Sequence, residues 1–167
     1  MLLPLIFCLA AALLEVAFLG HLRPLGVMPN LVVIAVTLAA LWSQASPTLV
    51  AALAAGLVLD SASGVDFGLR TAFLAALAVS AIAARQLGLH ADSLVAAAGI
   101  VAVATVLFNL AVIAGLPAAA LNWQTIGTRI GLELAVNLLL TAAIWAVGSL
   151  WRNRQPVLVD SNRSSWL

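Results

Sequence analysis

The chain has 167 residues, of which 65% are hydrophobic and 8% charged, with a mean hydropathy of +1.19. So few charges cannot cover the surface of a soluble domain of 17.1 kDa, which excludes a water-soluble fold and leaves lipid to supply the missing cover. Seven Arg, no Lys and six acids give a net charge of +1 with no basic stripe, which excludes a nucleic-acid surface.

Six apolar runs approach the roughly 20 residues that span a bilayer, at residues 2–19, 27–42, 48–60, 69–84, 94–115 and 130–151. The expected architecture is an all-α polytopic membrane protein. Its compact bundle of six transmembrane helices occupies residues 1–151, and a short polar tail, 152–167, is too small to fold alone. The first run lacks the basic flank of a secretory signal and reads as a retained helix. Its Cys8 is the sole cysteine, so an internal disulfide is impossible and a packing role is expected. Residues 20–26, with Pro24, break the chain before the second run.

Residues 43–47, ending at Pro47, break it again. The third run is the shortest and ends on Asp60, so a re-entrant or half-spanning segment is open there. Its Ala51/Ala55 and Ala52/Gly56 pairs, with Ala72/Ala76 in the fourth run, form small-residue faces expected to pack internally. The longest connection, 116–128, carries Pro117 and Trp123 and is expected to lie along the membrane interface. No internal repeat is evident.

Arg residues near helix ends orient a membrane protein. With six spans, Arg85, Arg152, Arg154 and Arg163 fall on one side and Arg23, Arg70 and Arg129 on the other, which places both termini in the cytoplasm. Trp42 and Trp151 then lie at the inner interface and Trp123 at the outer.

A charge at the centre of a membrane helix costs about 3 kcal/mol, so Glu15 and Glu133 need a reason. Arg129, Glu133 and Asn137 recur at every fourth residue, a strip that Thr141 and Trp145 continue, and interhelical hydrogen bonds along it would seal the last helix into the bundle. Alternation of helix direction puts Glu15, Asn30, Asp60, Asp66, Arg70, Arg129 and Glu133 at one side of the membrane. Such a zone is a binding cleft, a docking surface for another membrane helix, or a wet loop face, and the last needs the fewest assumptions. Asp60, at a helix C-terminus, opposes the helix dipole and requires a compensating partner, for which Arg70 is the expected choice. Gly64 and Gly68 read as turn residues, and His21 and His90 as interfacial residues without metal-ligand spacing. No nucleophile and base, metal or phosphate-loop pattern occurs, so neither an enzyme nor a cofactor is expected.

From Met28 to Ala76 the chain resembles the MreD family of rod-shape-determining membrane proteins. The resemblance rests on Pro29-Asn30-Leu31 opening the second helix. It continues in a glycine-containing third helix that runs Gly56-Leu57-Val58-Leu59-Asp60 and on through Ser63-Gly64 to Gly68. Length, span number and a short basic tail after a Trp-containing last helix fit the same pattern. The resemblance implies a non-enzymatic subunit of the cell-elongation machinery in the bacterial inner membrane. Its implied partners are the single-pass protein MreC, and also MreB, RodA and a class B penicillin-binding protein. It further implies the fold of the substrate-binding subunits of energy-coupling-factor transporters. A small-molecule carrier subunit of that kind is therefore the alternative, although residues 2–19 lack the Ala-x-x-x-Ala pair with which such subunits commonly meet their transporter.

Overall fold

The structure is a computed structural model and describes residues 2–19, 27–63, 68–88, 93–114 and 123–154. Six α-helices account for nearly all of them: α1 (Leu2–Leu14), α2 (Leu31–Trp42), α3 (Ala45–Ser63), α4 (Leu69–Gln86), α5 (Leu94–Ala114) and α6 (Trp123–Arg154), with no strand among the described residues. Three are long and apolar enough to cross a membrane, over Ala45–Ala62, Leu94–Ile113 and Gln124–Leu150, so the chain is an all-helical membrane protein. Leu2, Ile6, Val95, Leu139 and Val147 are all more than 60% exposed, an outer surface suited to hydrocarbon and not to water.

Individual elements depart from the expected bounds for local reasons. The helix of α1 gives way at Glu15 to a π-helical turn, Glu15–Leu19. The second helix starts at Leu31 and not at residue 27, because Pro29 disfavours a helical residue before it and Asn30 caps the helix by accepting from the Val33 N–H at 3.1 Å. The third helix is longer than residues 48–60 and is continuous over 19 residues. Pro47 sits in its first turn, where a missing N–H costs nothing, and Asp60 is satisfied from outside the helix. The expected interfacial connection 116–128 is instead helical from Trp123 onward, and residues 115–122 lie outside the described segments.

The helices run alternately up and down, and α2 is the central one. Ten of its residues, Val32 to Leu41, are buried, which matches a helix that is apolar all round. Val32, Val33 and Val36 face a core shared with α1, α3 and α4, built on Cys8, Ala12, Ala51, Ala55, Leu74 and Ala78. Ile34, Leu38 and Leu41 face Ala97 and Val101 of α5 and, from α6, Leu140 and Trp145. With 12 residues, α2 is about 18 Å long, well short of a bilayer core. Its N-terminus therefore ends inside the bundle, with a polar space above it.

The small-residue faces divide. Ala51, Ala52 and Ala55 are buried and Gly56 lies against Thr71 of α4, whereas Ala72 and Ala76 are exposed on the outer side of α4. At the opposite end of α2, Arg85 of α4 donates from Nη1 to the carbonyl oxygens of Ala40 at 3.1 Å, Leu41 at 3.5 Å and Ser43. A cation there satisfies orphan carbonyls and meets the negative end of the helix dipole.

Candidate functional site: a polar cavity at one end of the bundle

The N-terminus of α2 is capped twice. Besides Asn30, the Glu15 carboxylate accepts from the Val32 N–H at 3.1 Å, so the first acid in the sequence serves a neighbouring helix. Glu15 is 7% exposed, and the π-helical turn that begins with it aims it across the α1–α2 junction. The next hairpin repeats the arrangement. Asp60 of α3 accepts from the backbone N–H groups of Gly68 at 3.0 Å, Arg70 at 3.2 Å and Thr71 at 3.0 Å, and from Thr71 Oγ1 at 2.6 Å. Gly68 is the N-cap of α4 with φ of 101° and no side chain to do this work.

This corrects the expected Asp60–Arg70 ion pair. Arg70 meets Asp60 through its backbone N–H, and the helix dipole that disfavours an acid at the end of α3 favours the same acid at the start of α4. Asp60 is only 1% exposed, covered by its own ligands at the rim of the bundle. Gly64 and Asp66 lie outside the described residues, as do His21 and His90.

Asn137 of α6 joins the halves of the molecule. Its Oδ1 accepts from the Asn30 N–H at 2.9 Å, and its Nδ2 donates to Thr105 Oγ1 of α5 at 3.0 Å. One turn on, Thr141 Oγ1 donates to the Asn137 carbonyl at 2.7 Å. Asn137, Thr105 and Thr141 are fully buried, so in lipid these bonds tie three helices together. We expect Asn137→Ala to reduce stability by about 1–2 kcal/mol, since it removes two interhelical bonds and orphans the Asn30 N–H. Thermal unfolding in detergent measures this, and Asn137→Gln should lose nearly as much, because a longer side chain cannot hold both bonds.

Above these caps lies a cavity of about 410 Å³. Glu15, Asn30, Arg70, Arg129 and Glu133 line it, so five residues of the predicted polar zone converge on one space. Asp60 does not line it, although neighbouring Leu59 does, and Asn137 lies beneath, behind Asn30. Pro29 is buried at the entry to α2 and orients Asn30. Glu15 lies within the electrostatic reach of Arg70 and Glu133, and Glu133 within that of Arg129 and hydrogen-bonding reach of Asn109. Two carboxylates against two guanidinium groups leave the cavity formally neutral, with donors and acceptors both presented. The apolar side is built on Phe73 and Phe108, whose rings pack at 5.1 Å between centroids.

Sequence reasoning missed Asn109. It is a lone amide about one turn from the end of α5, the position that Glu15 and Asp60 hold in the two preceding odd-numbered helices, and that recurrence was the available signal. Chemically the cavity can hold a small polar group or a chain segment by paired hydrogen bonds. Among the described residues no group of three or more His, Cys, Asp or Glu is placed to hold a metal ion. No protein-family model, curated protein or solved structure matches the chain significantly.

Proposed function

We propose that this chain is a non-enzymatic, six-span subunit of the bacterial cell-elongation complex in the inner membrane, where it holds an MreC-like single-pass protein and supports peptidoglycan synthesis and cell shape. The observation that carries the reading is the Pro29-Asn30 pair together with the Gly56-to-Gly68 string, which resemble the MreD family. Those residues have positions that make sense of them: Asn30 and Asp60 cap helices, Gly68 takes a positive φ, and Gly56 allows close helix approach. They build the two hairpins whose shared end carries the cavity. A partner chain held there by hydrogen bonds needs no reactive group from this one.

We further propose that all six helices cross the bilayer, α3, α5 and α6 by their own length and α1, α2 and α4 by packing against them. Arg70 and Arg85 stand near opposite ends of α4, about 22 Å apart, where both can reach an interface. Both termini are then cytoplasmic and the cavity opens to the periplasm. Reporter fusions after Trp42, Ala84 and Trp151 should all read cytoplasmic, and a periplasmic signal from the last would overturn this topology.

A cavity of about 410 Å³ also favours the second reading, a carrier subunit for a small molecule. Purification from native membranes separates the two. An MreC-like partner recovered with the chain supports the first, whereas an ATPase and a transporter scaffold would replace it with the second.

A further inference from the structure

Four charged side chains line the polar cavity, and they lie at different depths. Glu15 and Glu133 are 7% and 8% exposed, whereas Arg70 is partly buried and Arg129 exposed. The floor is therefore acidic and the rim basic. Electrostatic reach links the four in the order Arg70, Glu15, Glu133, Arg129, with the two acids adjacent at the centre. Among the described residues no two of them form an ion pair, and neither guanidinium group donates a hydrogen bond.

Charges removed from water normally pair, because an unpaired one in a low-dielectric interior is costly. Here the protein's own groups leave that pairing unfinished. Glu15 spends part of its accepting capacity on the N-terminus of α2, at the Val32 N–H. Glu133 has only the Asn109 amide within hydrogen-bonding reach among the described residues, and that amide already donates to the Thr105 carbonyl oxygen at 2.9 Å. Two buried acids facing one space repel each other unless a cation stands between them.

A free cation would satisfy the floor alone, and a free anion the rim alone. A molecule that carries both charges completes all four groups and leaves the site neutral. Phe73, Phe108 and Val112 line the same space, so the rest of that molecule is apolar. A volume of about 410 Å³ lies within the range of small-molecule sites, about 300–1,000 Å³.

We propose that the cavity binds a small zwitterion, with a primary ammonium group between Glu15 and Glu133 and an anionic oxygen group at Arg70 and Arg129. An apolar α-amino acid has this chemistry, and so does the phosphoethanolamine headgroup of a lipid in the leaflet beside the cavity. The inference rests on the proposed topology for access from the aqueous side, and it needs no partner protein.

The full chain alone, in nanodiscs, provides the test. In discs of dioleoyl phosphatidylglycerol, calorimetric titration with leucine should show one site. Leucinamide and N-acetylleucine each lack one of the two charges and should bind at least tenfold more weakly. In discs that also contain dioleoyl phosphatidylethanolamine, native mass spectrometry shows whether one ethanolamine lipid is retained in preference to phosphatidylglycerol. Leucine binding assigns a soluble ligand, and selective retention of the ethanolamine lipid without leucine binding assigns the headgroup. Neither result overturns the proposal only if both are absent, in which case it falls. Arg129→Gln removes an exposed side chain with no hydrogen bond to lose, so it should fold normally and cut the observed binding about tenfold. Gln124→Ala, exposed on α6 and outside the cavity, should leave binding unchanged. Unchanged binding by Arg129→Gln, or equal binding of leucine and leucinamide, overturns the zwitterion. Such a failure leaves the capture of an MreC-like partner untouched, and a failed capture leaves ligand binding by the isolated chain untouched.

Discussion

Asp60→Ala is expected to lower the stability of the purified chain by about 2–4 kcal/mol, the largest loss for any single polar side chain in the bundle. One carboxylate accepts at least four hydrogen bonds here, three from the backbone at the start of α4 and one from the Thr71 hydroxyl. Water cannot replace them, because Asp60 is 1% exposed. Removing it orphans donors at a helix N-terminus that has no cap of its own, since the N-cap is Gly68. Asp60→Asn should cost about half as much, because its oxygen keeps some of the bonds while its NH₂ faces donors. Arg70→Ala should leave stability nearly unchanged, and the double variant Asp60→Ala, Arg70→Ala should be as unstable as Asp60→Ala alone. Thermal unfolding of the four proteins in one detergent checks this. Recovery in the double variant would restore the ion pair as the dominant contact.

That contact marks the limit of what was legible beforehand. Hydropathy placed a helix in each of the six apolar runs, because a helix packed into an apolar bundle is apolar along much of its length. Helix alternation then gathered Glu15, Asn30, Arg70, Arg129 and Glu133 at one end, where the structure has its cavity. Sequence showed that Asp60 opposes the dipole of its own helix. It did not show that the start of α4 stands over it, because that depends on how two helices close a hairpin. A cation ten residues on is visible in a sequence, and three backbone N–H groups are not. Asn109 was missed for the same reason, since a single amide in an apolar run can satisfy itself on its own helix, as Asn109 Nδ2 does on the Thr105 carbonyl at 2.9 Å, and its approach to Glu133 shows only once α6 is packed beside it. Pro47 misled in the other direction. It reads as a breaker, and its place in the first turn of α3 emerges only once Ser43 and Gln44 are seen to complete the link from α2.

Gly56→Ala is the substitution expected to do most damage for its size. A Cβ built at Gly56 would lie 2.5 Å from Thr71 Cα and 2.9 Å from Thr71 Oγ1, and neither atom has room to move. The first belongs to the α4 backbone, and the second is held by Asp60. The helices must therefore separate, which loosens the apolar contact around Ala52 and Ala55 and the cap on Asp60 together. A single methyl group should cost about 2–3 kcal/mol, the upper part of the range for overpacking, and Gly56→Leu should prevent folding. Gly148 supplies the contrast. Its added Cβ would meet the Trp42 ring at 2.7 Å, a clash nearly as close but with the far end of a side chain and not with backbone. Gly148→Ala should therefore cost about 1 kcal/mol or less and leave the hairpin of α3 and α4 intact. Melting of both variants in the same detergent distinguishes the two kinds of contact. If Gly56→Ala melts no lower than Gly148→Ala, the close approach of α3 and α4 is not what holds that hairpin together.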